Sequence, residues 1–394
     1  MTGDAVTKGA PPGFVHGMGM TLVKADWPLL GDEEVRGVLR HYERRLEGGT
    51  SHEPFVTWHS PRPMSAAALV NWGDVVVFVK RHHRTVRTPA QLRVEHAFAS
   101  HLRARGQIVP AVLRSDTGDT LVLEGDFIYE IHQRAVGVDT YRDIPSWFPF
   151  LSLDHAQGAG GALAHFHQAA ADFAFPARFP GVLMNSVALI ASSDPLTELR
   201  RLLAARPGLA RAVSPRSIVD DFTRVHLPVI AKAAPLLRAL PSQWGHGDWH
   251  GSNLTWNSTN SSATVAGVLD IGLSNRTFAV LDLAVALERS TIDWLDRAGT
   301  GHIRVDLDAV DAILDGYEEV RPLRTFEATV LVEILPVIHL EYALSEVEYF
   351  AEVTRSKANA ELAYDGYFIG HTRWYEGAAG SVLLEHLRGR FRQY

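Results

Sequence analysis

The chain has 394 residues, 46% hydrophobic and 21% charged, which is enough apolar content for one large domain or two coupled lobes. Its formal net charge is −7, and no run of Lys and Arg is dense enough to track a phosphate backbone, so a small ligand is expected and nucleic acid is not. Cysteine is absent, which excludes disulfides, Cys-ligated zinc, iron–sulfur clusters and thiol nucleophiles and leaves catalysis to oxygen, nitrogen or a hard metal.

The opening MTGDAVTKGAPPGFV lacks the basic segment and apolar run of a secretory signal, so a cytoplasmic location is expected. The longest apolar stretches, such as ATVLVEILPVIHL, are interrupted by Glu333 and fall short of a bilayer span, so no membrane partner is expected. Residues 1 to about 28 are rich in Gly and Pro and suggest an extension. From Asp32 to Leu46, DEEVRGVLRHYERRL sets Val35, Val38, Leu39, Tyr42 and Leu46 on one face of a helix. Residues 1–50 are therefore expected to form an N-terminal extension and helix.

Next, SAAALVNW and VVVFVKRH are apolar runs joined at Gly73-Asp74, a hairpin signal. TPAQLRVEHAFASHLRARG predicts a helix capped by Thr88, with Pro89 in its first position and Gly106 at its end. PAVLRSDTGDTLVLEGDFIYEIHQRAVG predicts further strands. The order is α+β with antiparallel pairing, a small lobe over 51–136, with a hinge near Glu130 to Gly137. Beyond it, residues 137–394 are mainly helical in pattern, as in GAGGALAHFHQAAADF and LDAVDAILDGYEEV.

The exception is HGDWHGSNLTWNSTNSSATVAGVLDIG, residues 246–272. NLTW and VAGVLDI flank the turn NSTNSS, so a hairpin is expected, with Asn253 and Asp270 at one edge and Asp248 on the loop that enters it. Two oxygen ligands suit Mg²⁺, which fills its remaining positions with water and substrate phosphate. A separate carboxylate suits a base for an attacking hydroxyl, and together these are the parts of phosphoryl transfer.

HGDWHGSN followed by VLDIG closely resembles the catalytic loop and metal-binding segment of the aminoglycoside phosphotransferase and choline kinase superfamily, and LDLAVAL matches its Asp-Leu-Ala stretch. The resemblance implies a two-lobed protein-kinase-like fold, with a strand-rich N-terminal lobe and a mainly helical C-terminal lobe. It implies Asp248 as catalytic base, Asn253 and Asp270 as Mg²⁺ ligands, and Asp282 as a brace of the catalytic loop, while His246 is expected to be a structural anchor of that loop. It also calls for a strand lysine on the nucleotide phosphates and a helix glutamate to hold it. Only five residues are lysine against 38 Lys and Arg together, and Lys80 ends the apolar run VVVFVK, where a compact ammonium suits phosphate contact. Glu95 lies in the next predicted helix. The family's Gly-rich loop has no counterpart before Gly73, where PRPMSAAALVNW offers small residues instead.

The expected activity is transfer of a γ-phosphoryl group from ATP or GTP to a hydroxyl of an antibiotic-like acceptor, with a metabolic kinase of a small alcohol, amino alcohol or sugar as the alternative. A zinc triad of His246, Asp248 and His250 would leave Asn253, Asp270 and Lys80 unexplained. A nucleotide-binding pseudokinase would not need an intact base. Acids and aromatics in HLEYALSEVEYF, among them Glu341, Tyr342, Glu346 and Tyr349, offer contacts for a cationic or sugar-like acceptor, but Leu340, Leu344, Val347 and Phe350 stand at helical spacing, so most of the segment is expected to be core.

Overall fold

The computed structural model describes residues 13–19, 21–44, 53–179 and 181–392. The first part of the expected extension, residues 1–12, and the predicted helix face at Leu46 lie outside the described residues. The chain forms two compact units, Met1–Ser146 with Ser252–Asn260 and Val265–Leu269, and Trp147–Gly251 with Ser261–Thr264 and Asp270–Tyr394. The division falls at Ser146/Trp147 rather than at 136/137, and the 254–268 hairpin groups with the first unit.

In the first unit, β1 (Phe14–His16) and β2 (Leu22–Lys24) pair antiparallel, so the described end of the predicted extension is a small hairpin. Helix α1 (Asp32–Leu39) has three acids in its first turn, which complement the helix dipole, and tightens into a 3₁₀ turn over Arg40–Tyr42. Strands β3 (Phe55–His59), β4 (Ala66–Trp72), β5 (Val75–His83), β6 (Val122–Glu124) and β7 (Phe127–Gln133) form one antiparallel sheet in the order β3-β4-β5-β7-β6. Glu130 thus sits in mid-strand, and the expected hinge begins too early, because the ladder with β5 runs on to Gln133. Helix α2 (Pro89–Ala104) starts with a Thr88/Gln91 capping box.

Strand alternation gives the sheet two faces. Val77, Val79 and Ile131 pack with Val35, Val38 and Leu39 of α1 in one buried cluster. On the other face Ile128 packs with Leu92 of α2 and Leu121. Lys80 and His82 share that second face with their cross-strand partners Glu130 and Ile128.

The second unit is mainly helical. Its helices are α3 (Leu153–Ala170), α4 (Pro195–Ala205), α5 (Pro207–Val213), α6 (Ile218–Asp221) and α7 (Leu227–Arg238). After β8 (Gln243–Gly245) the chain supplies β9 (Leu254–Trp256) and β10 (Val265–Val268) to the first unit, then returns with β11 (Asn275–Thr277), antiparallel to β8. The remaining helices are α8 (Ala279–Thr291), α9 (Leu307–Val320), α10 (Thr325–Ile334), α11 (Leu340–Glu348), α12 (Lys357–Glu361), α13 (Gly370–Glu376) and α14 (Ala378–Phe391).

Helices α3 and α9 cross through glycine. A Cβ at Gly160 would stand 2.0 Å from the Ile313 carbonyl oxygen, and one at Gly316 would stand 1.9 Å from that of Gln157. Only hydrogens there let the two backbones touch. The helical run Thr325–Val353 continues through Glu333 for 29 residues, longer than the apolar pattern suggested. It is long and apolar enough to cross a membrane, and 83% of its most apolar window is buried within the protein.

Candidate active site

In the second unit the β8–β11 pair fixes both ends of the site. The loop His246-Gly247-Asp248 leaves β8, and Asp282 stands in the first turn of α8, just after β11. Asp282 is fully buried, and its two oxygens accept from the amides of His246 and Gly247, each at 2.7 Å. Its Oδ2 also faces His167 Nε2 at 3.0 Å, and His167 Nδ1 lies 2.8 Å from the Tyr317 hydroxyl. His167 comes from α3 and Tyr317 from α9, so the glycine crossing sets this chain of contacts. Burial pushes the Asp282 carboxyl up, but the His167 hydrogen bond and the neighbouring imidazoles of His167 and His246 outweigh it and hold it below its usual range.

Gly247 has φ +79°, and a Cβ there would come within 2.6 Å of the Leu273 carbonyl oxygen, so both conformation and space require glycine. His246 is buried edge-on against Phe166 and Trp249, and the Asp248 amide donates to its Nδ1 at 3.2 Å. Nδ1 therefore accepts, and the ring proton sits on Nε2. Trp249 anchors the next position by donating from Nε1 to the Ala159 carbonyl.

Asp248 has Arg289 Nη1 2.9 Å from Oδ1 and His250 Nε2 3.4 Å from Oδ2. Burial opposes its ionisation, but the Arg289 guanidinium first, and then His250 and His246, hold the carboxyl far below the usual range. Arg289 is fixed in turn, with its guanidinium 3.9 Å from the Trp147 ring centroid. Glu346 is also buried, and its carboxyl is pushed up to about 8 by desolvation and the Asp248 charge, against the pull of Arg289 and a hydrogen bond from Tyr342.

The β9–β10 hairpin closes where Leu269 N–H donates to the Asn253 carbonyl at 2.8 Å, and Asp270 is the next residue. Asp270 adopts φ +43°, ψ +70°, a left-handed conformation uncommon outside glycine, and accepts from Gly272 N–H. Its side chain is exposed, whereas Asn253 is buried. Both offer hard oxygen donors of the kind Mg²⁺ takes.

In the first unit Lys80 stands opposite Glu130 in the β5–β7 ladder, on the face covered by α2. Glu95, in α2, is buried with its Oε1 3.8 Å from Arg87 Nε. Glu130 is surrounded by imidazoles, with His96 Nε2 at 2.6 Å, His82 Nε2 at 3.1 Å and His132 Nε2 at 3.5 Å. Burial raises its carboxyl, yet these three rings hold it well below the ordinary value.

Residues 65–323, about two thirds of the sequence, match the profile of the phosphotransferase enzyme family, APH. The chain belongs to that family. An uncharacterized protein of Deinococcus radiodurans is 27% identical over 269 residues, 66% of this chain and 68% of that protein. Among solved structures, the microcompartment-associated aminopropanol kinase aligns with a TM-score of 0.52 at 17% identity, covering 86% of this chain and 94% of that one. An aminoglycoside phosphotransferase from Alicyclobacillus acidocaldarius aligns with a TM-score of 0.51 at 15% identity, covering 93% and 98%. A spectinomycin phosphotransferase solved with ADP and spectinomycin gives 0.52 at 10% identity, covering 93% and 100%. These similarities establish the protein-kinase-like fold of small-molecule phosphotransferases.

Three parts of the phosphotransferase escaped the sequence reading. Arg289 follows Asp282 by seven residues, two turns along the same helix face, so its proximity to the loop was recoverable from helical spacing. His167 and Tyr317 carry no motif and meet only because α3 and α9 cross at glycines. The imidazoles around Glu130 come from three elements with no common pattern.

Proposed function

We propose that this phosphotransferase moves the γ-phosphoryl group of a nucleoside triphosphate, ATP by default and GTP as the alternative, to a hydroxyl of a small acceptor. The supporting observation is the Asp248 loop, in which a buried Asp282 fixes the two preceding amides while Arg289 keeps the Asp248 carboxyl ionised. An ionised, immobilised carboxylate orients the acceptor hydroxyl and takes up its proton as the oxygen attacks phosphorus. Asn253 and Asp270 would hold Mg²⁺ through hard oxygen donors, and when bound the ion supplies charge neutralisation on the phosphates. Lys80 neutralises nucleotide phosphate as a point charge, and Glu95 in α2 orients it. His246 supports the loop from its aromatic box.

The acceptor is an antibiotic-like hydroxylated compound on this reading, and a metabolic alcohol, amino alcohol or sugar on the second. The charges about Asp248 favour an acceptor without dense positive charge. Arg289 and His250 adjoin the base, and the nearby Glu346 is pushed towards its neutral form. The test is incubation with Mg²⁺ and ATP or GTP against a panel of hydroxylated antibiotics and metabolites, with mass spectrometry for one added phosphoryl group. Asp248→Ala is expected to lower turnover by roughly 10²–10⁴ while nucleotide affinity changes little. Near-wild-type turnover in that variant would overturn the assignment of the base.

A further inference from the structure

Beyond Asp282 along α8, three buried side chains from separate segments converge. Glu288 lies in the last turn of α8, His339 immediately precedes α11, and His371 lies in the first turn of α13. One ligand-type atom from each lies within 4.8 Å of the others. Glu288 Oε1 is 2.9 Å from His371 Nδ1 and 3.8 Å from His339 Nδ1.

His339 is the informative member. Its side chain is 0% exposed, and its Nε2 lies 3.3 Å from the Phe368 carbonyl oxygen, a group that can only accept. The ring proton is therefore on Nε2, and Nδ1 presents a lone pair. That Nδ1 is buried, has no hydrogen-bond partner among the described residues, and faces the Glu288 carboxylate. A lone pair aimed at a carboxylate in a buried site asks for a cation between them. An imidazole whose far nitrogen is held by a backbone carbonyl is the usual support of a metal-binding histidine.

The rings are held in place from outside. Trp294 stacks on His371 with centroids 3.4 Å apart and planes 6° apart, and Tyr367 stacks on His339 at 5.3 Å.

We propose that Glu288, His339 and His371 form a structural site for a divalent transition-metal ion, with zinc the best chemical match. Two imidazoles and a carboxylate suit a borderline cation and not Mg²⁺ or Ca²⁺, which prefer oxygen alone. The two oxygens of Glu288 and the two imidazole nitrogens supply four donors. The ion ties together three segments that are distant in sequence, including the end of the helix whose next residue, Arg289, adjoins Asp248. It is distinct from the Asn253/Asp270 pair in both residues and donor chemistry.

The test is metal content of the purified full-length protein by elemental mass spectrometry, followed by titration of chelator-treated protein with Zn²⁺ and with Co²⁺. The expected result is one zinc per chain, a Tm several degrees lower after chelation and restored by Zn²⁺, and visible d–d bands of low-coordinate Co²⁺ in the substituted protein. Asp270→Asn should retain the metal, whereas His339→Gln and Glu288→Gln should lose it. If those two variants fail to fold, the Co²⁺ spectrum of the wild-type protein decides. No retained metal together with no uptake of Zn²⁺ or Co²⁺ at micromolar concentration would overturn the proposal and make the trio a proton-sharing network. Metal binding that survives in folded His339→Gln and Glu288→Gln would overturn it equally.

Discussion

Glu130 in the first unit and Asp282 in the second are both buried carboxylates held in the ionised state, but by different means. Three imidazoles surround Glu130, whereas Asp282 is held by two backbone amides and one imidazole. An amide N–H can only donate, so it selects the carboxylate and fixes its direction whatever the pH. An imidazole can donate or accept, so the charge state of Glu130 depends on protons its partners carry. Asp282 is therefore a rigid template for the Asp248 loop, while Glu130 belongs to a network that responds to acid.

The comparison can be broken most directly by removing the carboxylates. Asp282→Ala leaves two amides and His167 without their acceptor and should cost about 3–5 kcal/mol, the scale for breaking a buried charged network. Urea unfolding followed by circular dichroism would measure it, and the milder Asp282→Asn should lower kcat even where the fold survives. Glu130→Gln keeps one acceptor oxygen and should cost about 1–3 kcal/mol, with a smaller loss of kcat than Asp282→Asn. Steady-state kinetics on the two amide variants would reverse the argument if Glu130→Gln proved the more damaging to turnover.

Acidification sharpens the contrast. Burial pushes His226 down to about 2, and His82 is lowered by burial against the pull of Glu130. Below the unfolded-state value of about 6.5 the unfolded chain binds protons that the folded chain refuses, so stability is present above that pH and is lost as pH falls. Each such histidine contributes a slope of up to ~1.4 kcal/mol per pH unit. Unfolding free energies measured at pH 7.5 and 5.5 should differ accordingly, and a flat profile would sink the linkage. Glu130 and Asp282 add their losses at lower pH, because their folded values lie below the unfolded ones.

The smallest effect belongs to Arg289. Arg289→Gln removes the cation that favours ionised Asp248, so the Asp248 carboxyl should titrate higher and the acid limb of kcat/KM should stand at higher pH than in the wild type. An unmoved acid limb would mean that Arg289 serves only packing.

Short-range information carried much of this protein in its sequence. Hydrophobic periodicity marked α1, because burying one face of a helix imposes a period on its own residues, while Thr88, Pro89 and Gly106 marked the ends of α2 and a polar turn between two apolar runs marked the 254–268 hairpin. The places of His246, Asp248, Asn253, Asp270 and Asp282 on a loop, at a hairpin edge and at a helix start were legible because those elements are contiguous in the chain, so they leave fixed spacings. The tertiary structure alone decided which partners reach those residues. His167 meets Asp282 through a glycine crossing 150 residues long in sequence between His167 and Tyr317, and Glu288, His339 and His371 are gathered from three segments. Contacts of that kind depend on how helices pack against one another, and packing between distant elements leaves no period or spacing in the sequence of any one of them.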